Sequence, residues 1–98
     1  NGSINVGGNK VMPEKVENVL LAHPDVLMAR CYAKTNSILG SLVCADIVLK
    51  THKEQLDNKA LKRNLKFFCK GKLNSFEIPA TFNFVQTIAT NINGKIKR

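Results

Sequence analysis

Apolar and polar positions change their period several times along this chain, and each change marks an element. Ile4-Asn5-Val6 alternates and runs into Gly7-Gly8-Asn9-Lys10, which reads as a short strand opening into a Gly-Gly loop, or as an ordinary strand-to-helix turn. Val16, Val19, Leu20 and His23 then recur at helical spacing. Pro13 stands where a first helical residue belongs, Glu14 and Glu17 suit the positive end of a helix dipole, and Pro24 stops the run. The expected helix covers about 13–23. Beyond it, Val26 to Lys34 and Leu42 to Leu49 are β-rich and apolar, joined by a polar loop from Thr35 to Gly40. So short a connection favours an antiparallel pair. Symmetry about that loop puts Cys31 and Cys44 roughly opposite one another, and Asp46 on the solvated face.

A polar crossover from Thr51 to Asn58 leads into a second helix, roughly 54–70. Leu56, Ala60, Leu61, Leu65 and Phe68 make its apolar side, and Lys59, Arg63, Lys66 and Lys70 another. Both Phe67 and Phe68 are assigned to the core. Gly71 is placed to cap this helix, and Lys72 to Pro79 is expected to cross the surface. Ala80 to Val85 alternates well enough for a third strand, and Asn91 to Gly94 is a turn. The order β-α-β-β-α-β predicts an α+β domain with a small sheet of about three main strands flanked by helices.

Composition narrows the class. A chain of 98 residues, 44% apolar and 22% charged, fits one domain, 1–98, and is too small for two. No apolar run approaches the ~20 residues that span a bilayer, and the polar, Gly-containing start does not resemble a signal peptide. The start at Asn1 without methionine suggests a piece of something longer. Cys31, Cys44 and Cys69 are odd in number, far apart and set in apolar segments, against both a disulfide framework and a zinc site. Buried, reduced thiols suggest a cytoplasmic setting. His23 reads as a helix-end residue and His52 as a loop residue, and no metal site is expected at either.

A net charge of +8 implies an acidic partner: nucleic acid, an anionic membrane surface or a phosphorylated small molecule. The row Lys59, Arg63, Lys66, Lys70 could follow a nucleic-acid backbone, but without exposed aromatics to stack bases it signals only non-specific attraction, so no nucleic-acid partner is expected. Neither a third glycine at dinucleotide spacing nor a GKS or GKT follows Gly7-Gly8. The stretch from Thr90 to Arg98, TNINGKIKR, is the chemically pointed one. An Asn-Gly turn stands directly before Lys95, so a single ammonium projects from a fixed bend.

Four pieces in this order, GGNKVMPEKVENVLLAHPDV, Gly40 opening the second long strand, LNSFEIPATFNFV and NGKIKR, resemble the C-terminal domain of AMP-forming acyl-CoA synthetases. These belong to the adenylate-forming enzyme superfamily shared with luciferases and peptide-synthetase adenylation domains. The resemblance covers essentially the whole chain. It implies a two-domain enzyme whose large N-terminal AMP-binding domain is not in this sequence. Such enzymes join a carboxylic acid to AMP, release pyrophosphate, and pass the acyl group to a thiol, the small domain rotating between the two steps. Lys95 matches the lysine of the first step. Gly7, Gly8 and Asn9 match a loop that faces the site during thioester formation, near the pantetheine of CoA, and Lys10 beside them is a further candidate for a phosphate.

ATP, Mg2+ and CoA, or a carrier-protein thiol in place of CoA, are therefore expected for the full-length enzyme, and none bound tightly by this fragment, which is expected to be inactive alone. The acid substrate is not legible, because its pocket lies in the other domain. Ala89 and Asn91 stand where the family usually has Pro and Thr, and Asn36 and Ser41 where it often has Asp and Glu. GGNKVMPEKVE is closer to acyl-CoA ligases than to peptide synthetases, whereas Asn93 is at home in the latter. The other readings are an adenylation fragment serving a carrier protein, a non-catalytic relative, and a basic nucleic-acid-binding module.

Overall fold

The computed structural model describes residues 2–51 and 57–97. Within them run β1 (Ile4–Val6), β2 (Asn9–Val11), α1 (Pro13–Leu21), β3 (Val26–Asn36), β4 (Gly40–Leu49), α2 (Asn58–Cys69), a short 3-10 turn (Ser75–Glu77) and β5 (Thr81–Phe84). This is the expected α+β class with one addition. Gly7 and Gly8, at φ +56° and +87°, close a tight hairpin, so the segment after them returns as β2 instead of leading directly to the helix. Two successive positive-φ residues suit the twist of a two-residue hairpin, and glycine takes that geometry without Cβ strain.

The frame is the long antiparallel ribbon of β3 and β4. β4 also takes β1, antiparallel through Val6 and Gly40, and β5, parallel from Cys44–Thr81 to Ile47–Phe84. Since β3 occupies one edge of β4 throughout, β1 and β5 share its other edge. The parallel pairing needs a crossover, and α2 supplies it.

The ribbon's register corrects one expectation. Cys31 pairs with Ala45 and Tyr32 with Cys44, one step from the predicted opposition. The connection is only Ser37-Ile38-Leu39, and the hairpin centre moves accordingly. A one-step shift puts the two thiols on opposite faces of the sheet, where they cannot bridge. All three cysteines are free and buried, and burial pushes the Cys69 thiol up, against a smaller downward pull from Lys72.

One face of the sheet carries Ala29, Cys31, Val43, Ala45, Ile47 and Phe82, and Val16 and Leu20 of α1 with Leu61, Leu65 and Cys69 of α2 close over it. These side chains supply most of the stabilising burial, at ~25 cal/mol per Å2 of apolar surface. His23 ties the helices together: Nδ1 accepts from the Asp25 amide at 3.1 Å, which leaves the ring proton on Nε2 to donate to Asn64 Oδ1 at 2.7 Å, and Phe68 stacks edge-on at 4.9 Å. Glu17, buried on α1, accepts the Cys31 amide at 2.7 Å, on the edge of β3 that no strand pairs.

The opposite face is more polar. Tyr32 donates to Asp46 at 3.0 Å, Asn83 donates to both, and Arg30 lies 3.7 Å from Asp46. This agrees with the expected outward placing of Asp46. Burial, then the Asp46 carboxylate, pushes the Tyr32 phenol above its ordinary value.

α2 begins at Asp57, whose Oδ1 accepts from the Lys59 and Ala60 amides. The expected helical residues 54–56, with Leu56, and His52 lie outside the described residues. Ala60 is exposed, not core. Gly71, at φ +82°, follows the helix as expected. The segment 72–79 is not a surface crossing. Leu73, Glu77 and Pro79 are buried, and Lys15 of α1 reaches Glu77 at 2.9 Å. Burial alone would raise the Glu77 carboxyl, but the Asn74 amide and Lys15 outweigh it and hold the group below the usual carboxylate range.

Candidate functional site

Lys95 lies on a turn that the chain locks with its own groups. Asn91 Oδ1 accepts from the Asn93 amide at 2.9 Å and the Lys95 amide at 3.0 Å. Asn91 also donates to the Lys95 carbonyl at 2.7 Å, and its carbonyl accepts from Gly94 at 2.9 Å. Gly94 has φ +78°, while Asn93 stays at negative φ, so one glycine carries the left-handed position. A Thr90–Ile96 bridge and a 2.9 Å bond from Lys97 to Ala89 extend the ribbon on either side. Asn91, which departs from the family's usual Thr, is thus the side chain that shapes the bend. A hydroxyl could accept in the same place, so the substitution keeps the chemistry of the turn.

The Lys95 side chain is exposed. Beside it lies an open groove of about 550 Å3 between the turn and the α1–β3 corner, lined among others by Glu14, Glu17, Leu21, Leu27 and Met28. The turn therefore stands at the start of β3. Ile92, at its tip, is 100% exposed, a β-branched side chain held in water three residues from the lysine.

Gly7, Gly8, Asn9 and Lys10 are elsewhere. Their hairpin tip rests on the far end of the ribbon, where Gly7 donates to the Leu39 carbonyl at 2.8 Å. Asn5 Oδ1 accepts from the Gly8 amide at 3.0 Å, and the Asn9 side-chain amide reaches the Val6 carbonyl at 3.3 Å. A Cβ on Gly7 would meet Leu39 Cδ2 at 3.2 Å, whereas one on Gly8 would meet nothing within 4 Å. Gly8 thus offers bare backbone to whatever approaches. Beside it, Asn36 Oδ1 accepts from the Ile38 and Leu39 amides, the bonds an aspartate at that place would also make. Lys10 is exposed on β2.

From Met28 to Asn36 the ribbon spans about 25 Å, at ~3.3 Å per residue. The structure therefore brings Gly7, Gly8, Asn9 and Lys10 together and keeps them away from Lys95.

The family signature described as AMP-binding enzyme C-terminal domain matches residues 15–95. This chain belongs to that family. The match ends on Lys95 itself. Among curated relatives, the mouse mitochondrial medium-chain acyl-CoA ligase ACSF2 is 33% identical over 92 residues, 94% of this chain and 14% of that enzyme. An uncharacterized acyl-CoA ligase of Bacillus subtilis, YhfT, is 35% identical over 98 residues, 100% of this chain and 19% of the relative.

Among solved structures, an ATP-bound chimera of RpMatB and BxBclM superposes with TM-score 0.84 at 28% identity, covering 97% of this chain and 18% of that one. The o-succinylbenzoate CoA synthetase of Bacillus subtilis, bound with its product analogue OSB-NCoA, gives TM-score 0.84 at 27% identity, covering 99% of this chain and 19% of that one. The AMP-binding C-terminal domain described here thus spans less than a fifth of the length of these relatives.

Sequence reasoning found the Lys95 turn but not its lock. The signal was there: Asn91 precedes Gly94 at the spacing of an Asx turn closed by glycine. Phe67 is a correction. It is 74% exposed, not core, because successive helical residues point ~100° apart and only Phe68 can meet His23. Among the described residues, no group of three or more His, Cys, Asp or Glu converges to hold a metal ion, and no helix is long and apolar enough to cross a membrane.

Proposed function

We propose that this AMP-binding C-terminal domain is the mobile small domain, residues 1–98, of an AMP-forming acyl-CoA ligase, acting with an N-terminal AMP-binding domain. Lys95 serves acyl-adenylate formation, and the Gly7-Gly8-Asn9 tip, with Lys10 beside it, serves thioester formation with CoA or a carrier-protein thiol. The observation that carries this reading is the Lys95 turn, an exposed lysine on a bend locked by Asn91, at the last residue of the family match.

In the first step a carboxylate oxygen attacks the α-phosphorus of ATP, the bond to the β-phosphate oxygen breaks, and pyrophosphate leaves with the electron pair. Negative charge gathers on the α-phosphate oxygens, and a preplaced ammonium stabilises it most where water is excluded. Lysine suits this as a compact point donor. In the second step a thiolate attacks the acyl carbon and AMP departs. Here the absence of a side chain at Gly8 allows a slender thiol arm to pass close to backbone.

ATP and CoA fit these two ends by charge and by access. Mg2+ is expected to accompany ATP. The buried free thiols support a reducing compartment. The cytosol is our proposal, with the mitochondrial name of the mouse relative as the rival.

The test uses the full-length enzyme. Lys95→Ala should suppress substrate-dependent pyrophosphate release while leaving thioester formation from a supplied acyl-adenylate much less affected. Equal loss in both steps would overturn the role of Lys95. The isolated 98-residue chain should show no pyrophosphate exchange.

A further inference from the structure

The exposed side of α2 is not used by either end of the ribbon. At ~100° per residue, Lys62, Lys66, Lys59, Lys70 and Arg63 fall within an arc of about 100°, and Phe67 lies about 40° beyond Arg63. Leu61, Leu65 and Cys69 anchor the buried side in the core, so the orientation of the helix is fixed: Arg63 and Phe67 face most directly away, Lys59, Lys66 and Lys70 are exposed beside them, and Lys62, next to Cys69, is half-buried. No acidic residue occurs between Asn58 and Cys69, and among the described residues none of these five cations forms an ion pair. Phe67, at 74% exposure, stands directly beside them. Phe67 thus puts an apolar side chain on the flank of a cationic arc.

We propose that this face of α2 docks on an anionic lipid bilayer, with the cations over the headgroups and Phe67 dipping into the interface. Three features favour a bilayer. The charge is carried mainly by lysines, mobile point charges suited to a diffuse anionic surface, where a fixed phosphate or carboxylate partner would favour the forked geometry of arginine. The arc runs along the outside of a three-turn helix, which a flat surface can meet along its length. One lone aromatic beside a basic arc gives an apolar foot, not the succession of aromatics on which a nucleic-acid strand stacks. This docking does not depend on the role proposed for Lys95, so either can fail without the other.

Co-sedimentation of the full-length protein with phosphatidylcholine vesicles, with and without phosphatidylserine, tests it. Binding should require phosphatidylserine and fall steeply with salt. Joint Lys59→Gln, Arg63→Gln and Lys66→Gln substitution should weaken it about a hundred-fold, and Phe67→Ser several-fold. Lys34→Gln, a single cation exposed on β3, should change it less than about two-fold. All these side chains are exposed, and an unchanged thermal midpoint would confirm that each variant folds. Equal binding to neutral vesicles, no binding at low salt, undiminished binding by the triple variant, or binding to RNA or an acidic protein with vesicles ignored would each overturn the proposal.

Discussion

The two ends of the β3–β4 ribbon are built on one plan and offer opposite chemistry. At each, an asparagine side chain accepts backbone amides to fix a bend that contains glycine: Asn91 at the Lys95 turn, Asn5 at the Gly7-Gly8 tip. One bend presents a cation, the other bare backbone. Both bends are held by their own side chains, and the difference in what they hold accords with the two tasks proposed for them. With about 25 Å of stiff strand between them, the same site on a partner domain cannot meet both ends at once. A rotation of the small domain would exchange them, as the proposed two-step reaction requires.

Breaking one end should spare the other. Lys95→Ala should lower adenylation in the full-length enzyme by about 10²- to 10³-fold, the usual loss on removing one preplaced donor to a developing oxyanion, with thioester formation changed far less; separate assays of pyrophosphate release and of thiol acylation would show it. Gly8→Val should do the reverse. It forces a β-branched residue to φ +87° and fills the open face, so thiol acylation should fall about ten-fold while adenylation holds. A loss confined to adenylation would reverse the assignment of the tip.

The locks offer a finer comparison. Asn91→Ala removes two backbone hydrogen bonds, each worth about 0.5–1.5 kcal/mol net, and should reduce adenylation several-fold, with Asn91→Thr restoring most of it. Failure of threonine to rescue would mean that the amide group itself, and not the bend, matters.

The smallest expected effect is on neither end. The folded-state pKa of Glu77 is depressed, so its contribution to stability is complete above the ordinary carboxylate range and is lost as pH falls through the lowered value. Thermal midpoints measured down the acid limb should therefore fall more for the parent than for Glu77→Gln. Parallel slopes would show that the Glu77 carboxylate gains nothing net from the Asn74 amide and Lys15.

Local pattern carried most of this architecture. The helix from Pro13, the ribbon, the second helix and the turn before Lys95 are each written in a period, a proline or a glycine. What was not legible depended on counting or on distance. The register of Cys31 and Cys44 turned on the true length of the loop around Ile38, and a single step reverses every side chain. β2 has one buried apolar residue, Val11, too little to betray a strand. Glu77 is held by the Asn74 amide within its own turn and by Lys15, 62 residues away, and only the second partner depends on distance. Of the candidate site, the turn before Lys95 was legible, but its separation from Gly7-Gly8 follows from how the ribbon is laid down in space.

The bond from Glu17 to the Cys31 amide bears on how the protein behaves in a crowded solution. β3 is eleven residues long and, among the described residues, pairs with β4 alone, the kind of border onto which a second molecule can zip. A buried carboxylate parked on that border occupies a donor that a foreign strand would need. If that bond guards the border, replacing Glu17 by alanine should appear first as loss of soluble protein at high concentration.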